Sequence, residues 1–421
     1  MQTIVGRCVA FYIFLNVASF AENWPGWRGP LGTGKAEGKN YPTTWSRDNN
    51  VRWRINLPER GNSSPIVWGD KVFVTQAIEA KGERQLICFH SENGRLLWQK
   101  TVEFNTEEPT HRTNPYCSAS PVTDGKHVIV SHASAGVFCY DLDGKELWRR
   151  DLGEQEHIWG NAASPVIYQN QCFLNFGPGK RTFLIALNLK DGKTVWQHDE
   201  AGGESGIAKD GQRGKWVGSW TTPILIDGKR GDELLMSYPN RVVAFDPLKG
   251  KEIWSCRGLN PLVYTSPIYE NGVIVAMGGY RGTAMGVRAG GEGDVTDTHQ
   301  LWTRPREKQR IGSGVLVGGH VYILNEDGVA QCIEARQGKV VWEERLRGEG
   351  GNGKSWSSMV EAGDKLYAIN QSGDAFVLRS APKFELLATN ALGEMTQSSM
   401  AFASGDIFVR TYKSLWCIGS K

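Results

Sequence analysis

Several polar and aromatic residues sit just ahead of short Ser/Thr-containing segments: Arg112, Asn114 and Tyr116; His157, Trp159 and Asn161; Trp216 and Trp220; Tyr264; Arg310; and Trp356. Indole and phenol rings beside arginines and amides, gathered at a concave mouth, suit a planar, anionic or sugar-like ligand through stacking, cation–π attraction and hydrogen bonding. No pair among them sets a nucleophile beside a base, so no catalytic residue is nominated. No two cysteines are adjacent or in C-x-x-C spacing, so neither haem attachment nor a cysteine-rich zinc site has support, and no metal ligand is nominated.

The elements that must carry these residues repeat along the chain. A glycine, a basic residue, two further residues and a tryptophan recur, ending at Trp98, Trp148, Trp196, Trp254 and Trp342. Trp302 keeps the period with a degenerate lead-in, and Trp53 in VRWRINL keeps the tryptophan without the turn. The tryptophans step by 40 to 58 residues, and a final unit has Leu386 in their place. A second marker opens each unit, at Ser63, Ser118, Ala163, Thr221, Thr265, Gly312, Ser357 and Ser398: small residues, usually a proline, then an apolar run. Eight openings and eight closings, with four short alternating runs per unit, predict an all-β, eight-bladed β-propeller. Asn-Gly and Asp-Gly pairs such as Asn93-Gly94 and Asp143-Gly144 suit the tight hairpins this needs. The last unit is one strand short, and the N-terminal strand around Trp53 is expected to complete it and close the ring.

A residue present in nearly every unit serves a need common to every unit. The repeated tryptophans are therefore read as blade-docking residues, each contributing on the order of 2–3 kcal/mol by burial. Four cysteines also fall at one repeat position, Cys88, Cys139, Cys332 and Cys417, and are read as small buried strand residues. Function then lies in what differs between blades. Three long stretches, Thr101 to Tyr116, Asp199 to Gly218 and Gly279 to His299, are expected on the rim opposite the short hairpins, where binding loops belong.

Composition narrows the classes further. The 421 residues carry a formal charge of only +3, with 51 glycines and 16 tryptophans. That balance leaves no basic footprint for nucleic acid. Arg7 followed by the apolar Cys8 to Phe20 stretch, with small residues at Ser19 and Ala21, reads as a secretory signal with cleavage after Ala21. The expected organisation is a signal over 1–21, with an uncleaved membrane anchor as the alternative, an N-terminal extension over 22–50 and the propeller over 51–421, as a monomeric ring that is periplasmic or secreted and has no membrane span after signal removal.

Taken together, the G-[KR]-x-x-W endings and Ser-Pro openings resemble the pyrroloquinoline quinone (PQQ) repeat, from Trp53 almost to the C-terminus. Trp24-Pro25-Gly26-Trp27-Arg28-Gly29-Pro30 and the closing Leu415-Trp416-Cys417-Ile418-Gly419 are similar to segments of PQQ-like propellers of planctomycete-type bacteria. Two kinds of relative set the expectations. The propeller subunit of the outer-membrane β-barrel assembly machinery implies a cofactor-free scaffold that meets a partner through loops on one face; its lipid-attachment cysteine has no counterpart here. Quinoprotein alcohol and sugar dehydrogenases imply PQQ beside calcium in the funnel, with an adjacent cysteine pair, calcium ligands and an aspartate base. None of these maps onto this sequence, and Arg112 and Arg310 are the residues on offer for the PQQ carboxylates. The leading expectation is a non-catalytic scaffold binding a protein or glycan without cofactor; the alternative is a PQQ- and calcium-dependent oxidoreductase.

Overall fold

A computed structural model describes residues 22–201, 217–228, 231–280, 282–306 and 308–420. Eight antiparallel sheets follow one another around a ring: blade 1 (66–103), blade 2 (122–150), blade 3 (166–200), blade 4 (224–257), blade 5 (268–304), blade 6 (315–345), blade 7 (360–391) and blade 8 (401–418). Strand Val51–Asn56 completes blade 8 by pairing with Ser414–Ile418, with Trp53 opposite Cys417. The ring therefore closes by joining the first strand of the propeller to the last three. No helix among the described residues is long and apolar enough to cross a membrane.

The tryptophan motif works between blades. The indole N–H of Trp53 donates to Ser91 O of blade 1 at 2.8 Å, that of Trp98 to Leu142 O of blade 2 at 2.9 Å, and that of Trp148 to Leu189 O of blade 3 at 2.7 Å. Trp196, Trp302 and Trp342 reach Pro247 O, Ala335 O and Ala381 O of the following blade in the same way. Each outer-strand indole thus lies over the last hairpin of its neighbour and satisfies one of that hairpin's carbonyls. This explains the glycine in the motif. Gly250 has φ +67°, and a Cβ there would stand 2.4 Å from the Trp196 ring. The turn glycine of one blade leaves room for the tryptophan of the blade before it.

The recurrent cysteines have the same origin. Cys88, Cys139, Cys332 and Cys417 sit directly opposite Trp98, Trp148, Trp342 and Trp53 in the strand register. Ala186, Ala244 and Gly286 take that place opposite Trp196, Trp254 and Trp302. A large ring on the outer strand demands a small partner across the ladder. All seven described cysteines are buried and free, and burial pushes the Cys88, Cys139 and Cys332 thiols up to about 12.

Blade 4 departs from the pattern. The 3–4 connection of blade 5, residues 289–299, adds the short strand Gly293–Asp294 in parallel beside Trp254 and Ser255. Trp254 accordingly turns its N–H to Glu233 Oε2 of its own blade, at 2.9 Å. This corrects the expectation for Gly279 to His299. The strand Ala284–Arg288 divides that stretch, so of its described residues only Gly279, Tyr280, Gly282 and Thr283 lie on the long-loop rim. The remainder lies on the short-hairpin rim, because a 3–4 connection always returns to that side.

The inner edge of the ring is held by a second repeated device. The backbone N–H of Ser64 donates to Ser120 Oγ, Ser120 to Ser164, Ser164 to Thr222 and Thr222 to Ser266, each at 2.9–3.0 Å. The chain of bonds continues from Ser266 to Ser313, Ser358, Ser399 and back to Ser64, again at 2.9–3.0 Å. Eight hydroxyls, one per blade, thus form a closed hydrogen-bonded belt around the axis. It satisfies backbone donors on the inner strands, which have no further strand to pair with.

The segment before the ring crosses one end of it. Trp24 exchanges backbone hydrogen bonds with Val67 of blade 1, and Pro25 O accepts from Thr123 N of blade 2. Arg28, 1% exposed, donates to Gly314 O of blade 6 and Thr33 O. Lys35 pairs with Glu270 of blade 5 at 2.7 Å, and Gly34 and Ala36 bracket Glu361 of blade 7. These partners all lie beyond the hydroxyl belt, toward the short hairpins, so the Trp24–Ala36 stretch closes the axial opening on that side.

Candidate functional site

A cavity of about 390 Å³ lies on the axis. Six of the belt hydroxyls border it: Ser64, Ser120, Ser164, Thr222, Ser358 and Ser399. Toward the loop rim, the residue two positions before each belt hydroxyl lines the wall. These are Asn62, Ser118, Ala162, Trp220, Tyr264, Ile311, Trp356 and Gln397, one from each blade in order. Trp27 of the crossing segment faces the cavity from the opposite side of the belt. The funnel is therefore blind, open at the loop rim and closed at the other end. The constant belt is architecture, and the variable ring above it is where the blades differ.

The variable ring is chemically lopsided. On blades 3 to 5 Trp159, Trp220 and Tyr264 form one aromatic wall. Trp159 lies 5.8 Å from Trp220 at 37°, and Trp220 5.0 Å from Tyr264 at 67°. Trp220 is fixed by its indole bond to Gly160 O at 2.8 Å. Burial holds the Tyr264 hydroxyl well above its ordinary range, so it stays protonated. The other blades contribute amides, Asn62, Asn114, Gln309 and Gln397, together with Trp356 and Ile311. Among the described residues, no aspartate, glutamate, lysine or arginine lines the cavity.

Five of the sequence candidates thus meet around one space: Asn114, Trp159, Trp220, Tyr264 and Trp356. Asn114 also ties the rim together, its Nδ2 donating to Trp159 O at 2.7 Å and Asn161 O at 3.1 Å. The others go elsewhere. Arg112 is exposed on the outer rim, where its carbonyl accepts from Arg60. Arg310 is fully buried, its guanidinium donating to Gln331 Oε1 at 3.1 Å. It precedes Ile311, which takes the inward position, and a one-residue step along an extended chain turns a side chain to the other face. Tyr116 and His157 line a separate small cavity of about 30 Å³ in the wall by blades 1 to 3. There the Tyr116 hydroxyl donates to Glu108 O, and Arg84 lies 3.9 Å over the Tyr116 ring. His157 stacks edge-on to Trp220 at 4.9 Å, and burial pushes its imidazole down to about 4. Asn161 pairs with Gln155. Trp216 lies outside the described residues.

Sequence reasoning missed Trp27, Asn62, Gln309 and Gln397. The signal for Asn62 and Gln397 was present, since both stand two residues before a belt hydroxyl, as Trp220, Tyr264 and Trp356 do. Trp27 carries no periodic mark.

The residues present do not match the quinone site expected of the alternative reading. PQQ carries three carboxylates, which require cationic partners when buried, and the described residues of this lining supply no lysine or arginine. Both arginines on offer point elsewhere. No group of His, Cys, Asp and Glu among the described residues is arranged to hold a metal ion.

Comparison with known proteins is consistent with this architecture. A family model described as outer membrane protein assembly factor BamB matches residues 38–115, 83–342 and 186–420. The chain is similar to outer membrane protein assembly factor BamB of Burkholderia pseudomallei, 21% identical over 368 residues, covering 78% of this chain and 87% of that protein. It is also similar to BamB of Kangiella koreensis, 26% identical over 174 residues; that match spans only 39% of this chain and 38% of the relative. Among solved structures, BamB from Moraxella catarrhalis superposes with a TM-score of 0.62 at 14% identity, covering 87% of this chain and 96% of that one. A europium-containing methanol dehydrogenase superposes with a TM-score of 0.66 at 11% identity, covering 93% and 90%. At such identities these two likenesses speak to the fold alone.

Proposed function

Because the chain belongs to the family described as outer membrane protein assembly factor BamB, we propose that it is an exported, non-catalytic binding scaffold of the cell envelope. It engages a protein or glycan partner through the loop-bearing face and the blind funnel behind it. The observation that carries the reading is the pair of stacked rings: a constant hydroxyl belt that stiffens the channel, and one variable side chain per blade above it, facing the loop rim. Binding side chains held two residues before the hydroxyls that tie neighbouring blades keep their geometry without a partner, which lowers the ordering cost of association.

The chemistry of the wall supports a role without turnover. General acid–base or nucleophilic catalysis needs titratable groups in mutual reach, and the described lining of the funnel offers His111 and the phenols of Tyr264 and Tyr280, with no carboxylate, lysine or cysteine beside them. The Cys117 thiol and His132 Nδ1 approach to 3.5 Å, but inside the wall. Burial pushes that thiol up to about 12, while burial and Arg84 push the imidazole down to about 3. Both groups stay neutral, so the thiolate a nucleophile requires does not form.

The reading is tested by photocrosslinking in the cell envelope. A benzophenone-bearing residue at Arg112, on the loop rim, is expected to give a discrete adduct. The same residue at Lys126, on the short-hairpin rim, is expected to give none. Equal labelling from both faces, or steady oxidation of an alcohol or sugar by the purified protein, overturns the proposal.

A further inference from the structure

We infer that the blind axial cavity is a binding site for an uncharged saccharide, entered from the loop rim. The inference rests on the scaffold reading and names the ligand class of its funnel.

The lining decides the class by elimination of charge and then by pairing. With no carboxylate, ammonium or guanidinium among the described residues of the wall, an ionic ligand there would give up its hydration without a counter-charge, at a cost of several kcal/mol. That excludes acidic sugars, nucleotides and charged peptide side chains. A wholly apolar ligand fails for the opposite reason. It would dry the amides of Asn62 and Gln397 and the belt hydroxyls, at roughly 1–3 kcal/mol for each group left unpaired. Each bordering belt oxygen already accepts one backbone N–H, so its own proton and second lone pair point to a partner that both donates and accepts. A ring of hydroxyls is such a partner.

The two-sided wall matches the two-sided chemistry of a pyranose, which has C–H-rich faces and hydroxyl-bearing edges. Trp159, Trp220 and Tyr264 supply a continuous aromatic surface on blades 3 to 5. Asn62 and Gln397 supply amides across from it on blades 1 and 8. Two polar atoms of the lining residues, the donor Trp356 Nε1 and the acceptor Asn62 Oδ1, lack a partner within the protein and are covered by the wall, so a ligand meets them only when these side chains turn toward the cavity. Unpaired groups of this kind are uncommon in native interiors and call for a ligand or water. At about 390 Å³ the cavity falls inside the roughly 300–1,000 Å³ range of small-molecule sites. Ala162, on the same blade as Trp159, lines the cavity with the smallest side chain of the variable ring.

The probes are an array of neutral hexose, pentose and N-acetylhexosamine oligomers, with uronic-acid and sulfated oligomers on the same surface. The purified protein is expected to retain one or more neutral oligomers, and titration with the best of them should change tryptophan fluorescence with one-to-one stoichiometry. Trp356→Ala should weaken binding at least tenfold, about 1.4 kcal/mol. Ala162→Phe fills the cavity without removing any side chain from the core, and should abolish binding while the melting curve is kept. Retention of no neutral oligomer, retention of acidic oligomers in preference, or unchanged affinity in Ala162→Phe overturns the inference. Photocrosslinking from Arg112 in the Ala162→Phe background separates the two proposals. A persisting adduct there, with sugar binding lost, shows that the two sites are separable and leaves both standing; in the unmodified chain, an adduct without retention of any neutral oligomer removes the saccharide site alone, and loss of the adduct removes the scaffold reading itself.

Discussion

Substituting Ser313 by alanine removes the acceptor for the Ser266 N–H, a bond of 3.0 Å in the hydroxyl belt. Ser266 and Ser313 are the two belt members that do not border the axial cavity. The orphaned amide is therefore out of reach of solvent in the funnel, and the full desolvation penalty applies, about 1–3 kcal/mol. Ser164→Ala breaks the equivalent bond from Ser120 N, also 3.0 Å, but Ser164 borders the cavity. Water there can take over the pairing, so the loss falls to the net value of an ordinary hydrogen bond, about 0.5–1.5 kcal/mol. Ser313→Thr keeps the acceptor oxygen, as Thr222 does naturally, and should recover most of the loss. Urea unfolding of the three variants, followed by tryptophan fluorescence, measures the difference. Equal destabilisation by Ser313→Ala and Ser164→Ala, or a change below about 0.5 kcal/mol in both, would refute the claim that the belt holds the ring.

Three further outcomes follow from the packing and the buried charges. Gly250→Ala should destabilise by about 2–4 kcal/mol in the same urea assay, because it combines a left-handed φ with the displacement of Trp196. Burial raises the Glu361 carboxyl to about 7, with Lys35 opposing and Glu270 and Asp364 adding to the shift. Its folded value lies above its unfolded one, so stability falls as pH rises from about 4.3 to about 7 and is level beyond. Glu361→Gln should therefore raise the melting temperature at pH 8 and leave it unchanged near pH 4. His157 and His132 are held neutral, down to about 4 and about 3, below their unfolded value of about 6.5. Their contribution is present above pH 6.5 and is lost as pH falls through those values. His157→Phe keeps the edge-on contact with Trp220 but removes the Nδ1 acceptor of the Trp159 N–H, so it should flatten the acid limb of a melting-temperature profile and lower its plateau at pH 8 by the cost of that bond, about 0.5–1.5 kcal/mol.

How much of this architecture is legible in the sequence depends on whether a feature repeats. Every blade must dock on the next, so Trp98, Trp148 and Trp196 recur with their turn glycines, and the small residues opposite them recur as Cys88, Cys139 and Ala186. Eight solutions to one packing problem produce a period that reading along the chain recovers, and the missing strand of the last unit reveals the closure at Trp53. Even the variable ring has a fixed address, two residues before each belt hydroxyl. The regularity failed where the chain is irregular: the insertion after Arg288 sends Gly293-Asp294 to a neighbouring sheet instead of to the binding rim.

Amino-acid order alone thus determines an eight-bladed ring and the residue types available at its mouth, because periodic burial and tight-turn chemistry are local properties. Which of those residues face the funnel is not local. Arg310 and Ile311 are neighbours in sequence, yet one is buried against Gln331 and the other lines the cavity, since a single step of extended backbone exchanges the two faces. The closing of the far end is decided still later. Trp27 and Arg28 lie in a stretch without periodicity, and their positions depend on carbonyls and side chains from blades some three hundred residues away, which only the completed ring brings together.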